Sequence, residues 1–301
     1  MQKLWWILLF AFLLFLWYYR ETIAMDIEVV RSKLRHKVNY SYVNTDKPHV
    51  IPAWYTQKIP FKIHQTSFSR KMDYRLANAS LLNHYVNPEY DYYFYDEAAC
   101  VDFIAKNYPE YRKHYDVLIP GAYKADLFRL LVLYHSGGVY IDDKAFSIHP
   151  LREFIREDDE MILIKDNMPG QIYQGVVYSI PGHPLMKQLI DKYISNIDAR
   201  HYGVDPYDIG GPKMFGRVVN TYLGRPEDTV FTSLQKDGIR VDAGTSFLNG
   251  SDDVVLSDDK KTIFFERGNK AYMKRKITQF FNGKEYHTLW IRRKVYKDKK
   301  I

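Results

Sequence analysis

The chain has 301 residues, of which 46% are hydrophobic and 16% aromatic, so it can bury a sizeable core. This composition excludes an intrinsically disordered protein. The formal net charge is +7, but the basic residues gather late in the chain without a recognisable nucleic-acid-binding motif, so we expect no nucleic-acid partner. Solvation or proximity to anionic lipid explains this basic tail better. The single cysteine, Cys100, excludes an intrachain disulfide.

Residues 4–19 form an uncharged apolar run between Lys3 and Arg20, with aromatic residues at both ends. As a helix the run would span roughly 24 Å, which suits a thin bilayer, so a single-pass signal-anchor is favoured over a cleaved signal peptide. Residues 1–3 would be a short tail and residues 20–55 a polar stem. The orientation stays open, because the following basic residues favour a cytoplasmic C-terminal side, whereas three glycosylation sequons are compatible with a lumenal one. In a eukaryote we expect the Golgi or endoplasmic reticulum, with type II topology.

Strand and helix signals alternate from residue 56 onward, which predicts one α/β domain over residues 56–301 with a mixed, mainly parallel sheet. Asp96 is placed to cap a helix. The segment 121–138 carries the strongest helical signal and ends in Gly137 and Gly138, a pair that suits a left-handed helix cap. Strands are expected within 59–67, 90–96, 139–142, 160–166, 175–180 and 262–267, and helices within 97–108, 121–138, 183–196 and 212–223.

Three charged residues, Asp142, Asp143 and Lys144, stand at the end of a strand that reads as buried. Because ligands collect at the carboxyl ends of strands in such sheets, we expect a cleft there. Adjacent carboxylates are hard oxygen ligands suited to Mg²⁺ or Mn²⁺, and such an ion would bridge phosphate oxygens. On the preceding helix, Asp126 and Arg129 share one face, so they point toward this cleft or pair with each other. The alternative for the three charges is a solvated turn.

The segments IPFKIHQTS, AYKADLFRLLVLYHSGGVYIDDKA and GGPKMFG resemble the motifs of glycosyltransferases of the DXD sugar-binding kind. These are the family 32 enzymes, related to yeast α-mannosyltransferases and capsular polysaccharide transferases. The resemblance covers residues 59–215, with a weaker similarity at 285–296, and its specific part is an Asp-x-x-Arg helix joined to Gly-Gly-x-Tyr-x-Asp. It implies a Rossmann-like GT-A fold, a nucleotide-sugar donor, a glycan or glycolipid acceptor and retention of anomeric configuration.

Carried over by position, the resemblance also implies site residues. The family has a second Asp where this chain has Lys144. Three arrangements stay open: both carboxylates share an ion, Asp142 binds it through water, or Lys144 takes its place. The implied roles are donor binding by His64, Gln65, Asp126, Arg129, Gly211 and Pro212, catalysis by Asp142, Asp143 and Lys144, and binding of Mn²⁺ or Mg²⁺ by Asp142, Asp143 and His287.

Two other functions stay open at the level of sequence. Lys144 also fits a catalytically inactive protein of the same fold that binds glycans or serves as a scaffold. A metal-dependent phosphoryl enzyme would use the carboxylates in a two-metal site. That enzyme needs further acidic ligands at other strand ends, for which residues 237–243 are a poor source.

Overall fold

The computed structural model describes residues 56–68, 74–248, 252–256, 263–267 and 285–298. All of them belong to one compact unit, Pro48–Ile301. The expected tail, anchor and stem, residues 1–55, lie outside the described residues. Among the residues that are described, no helix is both long enough and apolar enough to cross a bilayer.

The described elements follow the predicted alternation of helices and strands. The helices are α1 (Tyr74–Val86), α2 (Glu97–Asn107), α3 (Arg112–Val117), α4 (Gly121–Ser136), α5 (Pro184–Asp198), α6 (Pro212–Tyr222) and α7 (Tyr286–Ile291). The strands are β1 (Lys62–Thr66), β2 (Asp91–Tyr95), β3 (Gly138–Ile141), β4 (Ala145–Ser147), β5 (Met161–Lys165), β6 (Ile172–Ser179), β7 (Leu234–Lys236), β8 (Ile239–Leu248), β9 (Asp252–Leu256) and β10 (Ile263–Arg267). Every predicted helix and strand is present, and α1, α3, α7, β4, β7, β8 and β9 are additional.

The strands form one sheet in the order β2-β1-β3-β6-β5-β8-β9-β10-β4, with β7 paired to β8. Strand β1 is parallel to β2 and β3, and β5 is parallel to β8, whereas the other described pairings are antiparallel. The sheet is mixed as predicted, but the expectation of a mainly parallel sheet is wrong. Connections as short as 166–171 return the chain antiparallel, because a parallel crossover needs about a dozen residues.

Both faces of the central strands are buried, because their side chains alternate between two apolar cores. In β3, Tyr140 packs in the core that contains side chains of α4, α5 and α6, whereas Val139 and Ile141 pack in the other core. Strand β5 divides its residues in the same way. A strand buried on both faces needs a continuous apolar run, which is what the sequence shows before the charged residues.

Two glycines turn the chain from α4 into β3. Gly137 has φ of 61° and ψ of −168°, and its N–H donates to the carbonyl oxygen of Leu133 at 2.8 Å. The positive φ matches the predicted cap, although the extended ψ differs from a left-handed helical residue. Gly138 has φ of 100°, and a Cβ there would lie 2.5 Å from the carbonyl oxygen of Lys62. The turn therefore needs glycine, and it brings the residues after β3 beside α4.

Candidate active site

Arg129 lies at the centre of a charged cluster at the carboxyl end of β3. Its side chain comes from the middle of α4 and is buried. Nη2 lies 3.0 Å from Oδ1 of Asp126 and 3.4 Å from Oδ1 of Asp142. Nη1 donates to the carbonyl oxygen of Gln174, and the guanidinium carbon lies 4.7 Å from the centre of the Tyr140 ring. The guanidinium is thus fixed by two carboxylates, a carbonyl group and an aromatic face.

Asp126 lies one helical turn before Arg129 and is 8% exposed. Burial raises the pKa of its carboxyl group to about 7; the positive charge of Arg129 acts against this rise and the negative charge of Asp142 adds to it. Near neutral pH the carboxyl group therefore lies between its neutral and charged forms. The shared helix face predicted for Asp126 and Arg129 is confirmed, since the two side chains pair with each other and lie beside Asp142.

Asp142 lies between two cations. Its Oδ1 faces Arg129, and its Oδ2 lies 3.5 Å from Nζ of Lys144. The side chains of Asp142 and Lys144 are 17% and 13% exposed, so their interaction is stronger than it would be in open water. The backbone of Asp142 is also fixed, because its N–H donates to the carbonyl oxygen of Gly175 at 2.7 Å and its own carbonyl accepts from Nε2 of Gln65 at 2.9 Å.

Asp143, adjacent to Asp142 in the chain, is hydrogen-bonded to a residue outside this cluster. Its side chain is buried, and Oδ2 accepts a hydrogen bond of 2.7 Å from Oγ of Ser67. In the part of the chain that the structure describes, no three His, Cys, Asp or Glu side chains are grouped so that they could hold a metal ion. The two neighbouring carboxylates thus have different partners, Arg129 and Lys144 at Asp142 and Ser67 at Asp143, and a shared metal ion stays a prediction.

His64 and Gln65 brace the two ends of β3. Both side chains are buried in β1. Nε2 of His64 lies 3.0 Å from the carbonyl oxygen of Gly137, immediately before β3, whereas Gln65 donates to the carbonyl of Asp142, immediately after it. Burial lowers the pKa of His64 to about 4, so the ring is neutral at pH 7. These contacts place both side chains to hold β3, and their role in donor binding stays a prediction.

Gly211 and Pro212 begin α6, as the predicted helix start requires, with Gly211 as the N-cap and Pro212 in the first turn. They are linked to the charged cluster through Gln174 in β6. Nε2 of Gln174 donates to the carbonyl of Gly210 at 2.9 Å, and the Gln174 carbonyl accepts from Arg129. Sequence reasoning missed Gln174, although a buried polar residue in the apolar strand IYQGVVYS was a signal.

His287 is exposed on α7, a helix that packs against α4. The structure does not group it with Asp142 and Asp143, and its role as a metal ligand stays a prediction. The neighbouring Glu285 is buried and caps α7, since its Oε2 accepts from the N–H of Thr288 at 2.8 Å. Its Oε1 is buried without a hydrogen-bond partner. Sequence reasoning missed Glu285, whose signal was an acidic residue at the start of a short helix.

The charged cluster lies within a segment that matches a family model. Residues 74–162 match the family model described as a glycosyltransferase sugar-binding region containing a DXD motif. This range includes α4, the glycine turn, β3 and the three charged residues that follow it. The match and the mixed sheet support the GT-A-like fold that the motifs implied.

Relatives in yeasts are similar over longer stretches. The chain is 28% identical over 228 residues to the initiation-specific alpha-1,6-mannosyltransferase of Candida albicans. The aligned region covers 66% of this chain and 57% of that protein. It is 28% identical over 145 residues to inositol phosphoceramide mannosyltransferase 2 of Schizosaccharomyces pombe, with 46% of this chain and 39% of that protein covered. The chain thus spans about half the length of these curated relatives.

Among solved structures, the PaToxG glycosyltransferase superposes with a TM-score of 0.42 at 16% identity, over 55% of this chain and 70% of that chain. The ligand-free glycosyltransferase domain from the YGT toxin superposes with a TM-score of 0.38 at 9% identity, over 55% of this chain and 71% of that chain. The family match and the yeast relatives confirm the resemblance that the motifs indicated. Residues 74–162 of this chain are therefore similar to the sugar-binding region of the DXD-motif glycosyltransferases.

Proposed function

We propose that the protein transfers a sugar from a nucleotide-diphosphate sugar to a hydroxyl group of a glycan or glycolipid. The observation that carries this proposal is the cluster around Arg129 at the carboxyl end of β3, within the sugar-binding region. Arg129 and Lys144 offer positive charge to phosphate oxygens, and the carboxylates of Asp126 and Asp142 can accept hydrogen bonds from sugar hydroxyl groups.

The transfer breaks the bond between the anomeric carbon and a diphosphate oxygen, which keeps the electron pair. The acceptor oxygen forms the new bond to the anomeric carbon and releases its proton to the departing phosphate. With retention of configuration, attack and departure occur on the same face of the sugar. Positioning of the donor and stabilisation of the diphosphate supply most of the rate, so the reaction needs no side chain as a general base.

The names of the yeast relatives make mannose the first donor sugar to test, because these proteins are described as mannosyltransferases. One of them is named an inositol phosphoceramide mannosyltransferase. Glycolipids are therefore acceptors to test beside glycans. The uncharged run at residues 4–19 supports attachment to a membrane by an N-terminal anchor. In a eukaryote, the proposed location is the Golgi or endoplasmic reticulum.

The two alternative functions have less support. A phosphoryl enzyme with two metal ions needs several clustered carboxylates, and the described residues contain no such group of three metal-binding side chains. An inactive glycan-binding protein would keep the fold and the donor pocket but show no turnover. The relatives of this chain are named as transferases, which favours activity.

The test uses the full chain, purified in detergent, with a panel of nucleotide sugars that includes GDP-mannose, and with glycan and glycolipid acceptors. Release of free nucleoside diphosphate is measured. We expect release from one donor, and we expect Asp142→Asn to reduce it by at least about 100-fold because the variant loses the carboxylate charge that faces Arg129 and Lys144. Asp102→Asn, which changes an exposed carboxylate on α2, should behave as the wild type.

Two outcomes would contradict the proposal. Donor binding without release, with every acceptor tried, would favour the inactive glycan-binding protein. Absence of both donor binding and release would exclude a nucleotide-sugar site at this end of the sheet.

A further inference from the structure

We propose that Lys144 and Arg129, rather than a divalent cation, balance the charge of the donor diphosphate. This inference rests on the proposed function and specifies how its site works. Glycosyltransferases of the DXD type generally use a divalent cation. Three features of the described residues disagree with such an ion here: the surroundings of Asp142, the hydrogen bond between Asp143 and Ser67, and the position of Lys144.

The carboxylate of Asp142 is already flanked by positive charge on both sides. Its Oδ1 lies 3.4 Å from Nη2 of Arg129, and its Oδ2 lies 3.5 Å from Nζ of Lys144. A divalent cation bound to either oxygen would lie close to a guanidinium or an ammonium group, and like charges in a partly buried site repel strongly. The Asp142 carboxylate is therefore placed to hold two cationic side chains.

The described residues offer a divalent cation little beside Asp142. At a phosphate site Mg²⁺ takes one or two carboxylates, with waters and phosphate oxygens as its other ligands. Asp143, the nearest further carboxylate in the chain, is buried and accepts from Ser67. Across the described ranges, no group of three His, Cys, Asp or Glu side chains is assembled to bind a metal. The residues present therefore do not fit the ion that the family uses.

Lys144 has the position and the chemistry to replace that ion. It stands where the family has its second Asp, in a turn held by the hydrogen bond from the N–H of Ala145 to the carbonyl of Asp142 at 2.9 Å. Its side chain is 13% exposed, so its charge is less screened than that of a surface lysine. An ammonium group on a flexible stem can move from Asp142 to a phosphate oxygen and present three donors to it.

Arg129 supplies the fixed part of the same positive charge. Its guanidinium is held by the Gln174 carbonyl and by the Tyr140 ring, so it is oriented before any ligand arrives. During transfer the bond from the anomeric carbon to the diphosphate oxygen breaks, and the electron pair stays on that oxygen. Lys144 and Arg129 stabilise the added negative charge by hydrogen bonds, while the acceptor hydroxyl gives its proton to the departing phosphate.

Titration calorimetry of the full chain in detergent tests this inference with inorganic pyrophosphate, UDP and GDP as probes. Each probe is titrated once with excess EDTA and once with Mn²⁺. We expect dissociation constants that agree within about twofold between the two conditions. Lys144→Ala should weaken binding by about tenfold or more, because a hydrogen bond between charged groups is lost, whereas Lys144→Arg should retain most of the affinity.

Two further variants make the comparison sharper. Lys144→Asp gives the site the second carboxylate of the family, so its binding should require Mn²⁺ and vanish in EDTA. Lys106→Ala removes an exposed lysine of α2 and should leave binding unchanged. Thermal denaturation of each variant shows whether it is folded, and the EDTA comparison on the wild type needs no variant.

The outcomes separate this inference from the proposed function. Wild-type binding that is lost in EDTA and restored by Mn²⁺ would overturn the inference and leave the proposed transferase standing. Wild-type affinity that does not change in Lys144→Ala would also overturn it. Failure of the folded wild type to bind any of the three probes in either condition would overturn both the inference and the proposed function.

Discussion

Two buried arginines, Arg240 in β8 and Arg129 in α4, each contact two carboxylates and an aromatic ring. They differ in how closely their guanidinium groups are paired with those carboxylates. Arg240 is paired in a fork with Asp159, at distances from 2.7 to 3.2 Å between its Nε and Nη2 atoms and the carboxylate oxygens. Its Nη1 lies 2.6 Å from Asp242, and its guanidinium carbon lies 4.7 Å from the centre of the Phe154 ring. This is the geometry of a strong, closed charge pair.

Arg129 also has two carboxylates and an aromatic ring at 4.7 Å, but its contacts are looser. Its ion-pair distances to the two carboxylates are 3.0 and 3.4 Å, and Asp142 also faces Lys144. Burial also raises the pKa of Asp126 to about 7, even though Arg129 acts against the rise. We infer that the pair at Arg240 serves the fold, whereas the cluster at Arg129 keeps capacity for an anionic ligand.

The largest loss of folding stability is expected on substitution of Arg240. Arg240→Leu leaves Asp159 buried with its main partner removed, and this should lower the free energy of unfolding by about 3–5 kcal/mol, measured by urea denaturation. Arg112→Leu is the matched control, because the pair of Arg112 with Asp116 is partly exposed and is worth less than about 1 kcal/mol. Equal losses in the two variants would show that Arg240 is not a structural pair.

At Arg129 the main loss should be in turnover. Arg129→Lys keeps the charge but loses the planar fork that reaches Asp126, Asp142 and the Gln174 carbonyl together. Nucleotide release should fall about 100- to 1,000-fold, measured at saturating donor. Arg240→Lys provides the control, since it should lower stability and leave the turnover of the folded fraction intact. Comparable loss of turnover in both variants would remove the distinction between the two arginines.

The glycine turn between α4, the helix that carries Arg129, and β3 should tolerate substitution by alanine less well than the start of α4. Gly138→Ala places a Cβ 2.5 Å from the carbonyl oxygen of Lys62 at a φ of 100°, which should lower the free energy of unfolding by at least about 1–3 kcal/mol. Gly121→Ala adds a Cβ with no atom within 4 Å and should change the free energy of unfolding by less than about 1 kcal/mol. Denaturant melts of both variants give the comparison.

Per pH unit, the smallest effect is a pair of opposite pH dependences. Asp126 has a pKa of about 7 in the folded state and about 4 when unfolded, so its contribution to stability falls as the pH rises between these values. His64 has a folded pKa of about 4 and an unfolded one of about 6.5, so its contribution is lost as the pH falls through that window. Neither slope exceeds about 1.4 kcal/mol per pH unit.

Two variants separate these slopes in melts taken from pH 4 to pH 7. Relative to the wild type, Asp126→Asn should gain stability as the pH rises. His64→Gln should lose stability, relative to the wild type, over the same range. If both differences stayed constant with pH, neither residue would titrate as its burial implies.

The sequence was sufficient to locate the cluster but not to orient its members. Asp126 and Arg129 share a face because of the helical period, and the two glycines set where the strand and its charges begin, so local spacing predicted their meeting. The turn of Asp143 toward Ser67 depends on a contact between residues 76 positions apart, which no local pattern reveals. The same holds for the link from Gln174 to Gly210.

The sequence-based expectations could not include the neighbours of each strand in the sheet. The motif around His64 and Gln65 predicted a strand correctly, but local sequence does not show which strands flank it in the sheet. Strand β1 lies between β2 and β3, and its polar side chains are buried against the ends of β3. The mainly parallel sheet was mispredicted for the same reason, since pairing between distant strands is set by tertiary contacts.

Hydrogen exchange of the full chain, with and without the nucleotide sugar that supports turnover, tests the difference between the two arginines most directly. If the cluster at Arg129 binds the donor, peptides that cover residues 121–147 should exchange more slowly with it. Peptides that cover residues 156–165 and 239–243, around the Arg240 pair, should not change. Slower exchange confined to residues 156–165 and 239–243, or no change at 121–147 with a saturating donor, would contradict a donor site at the end of β3.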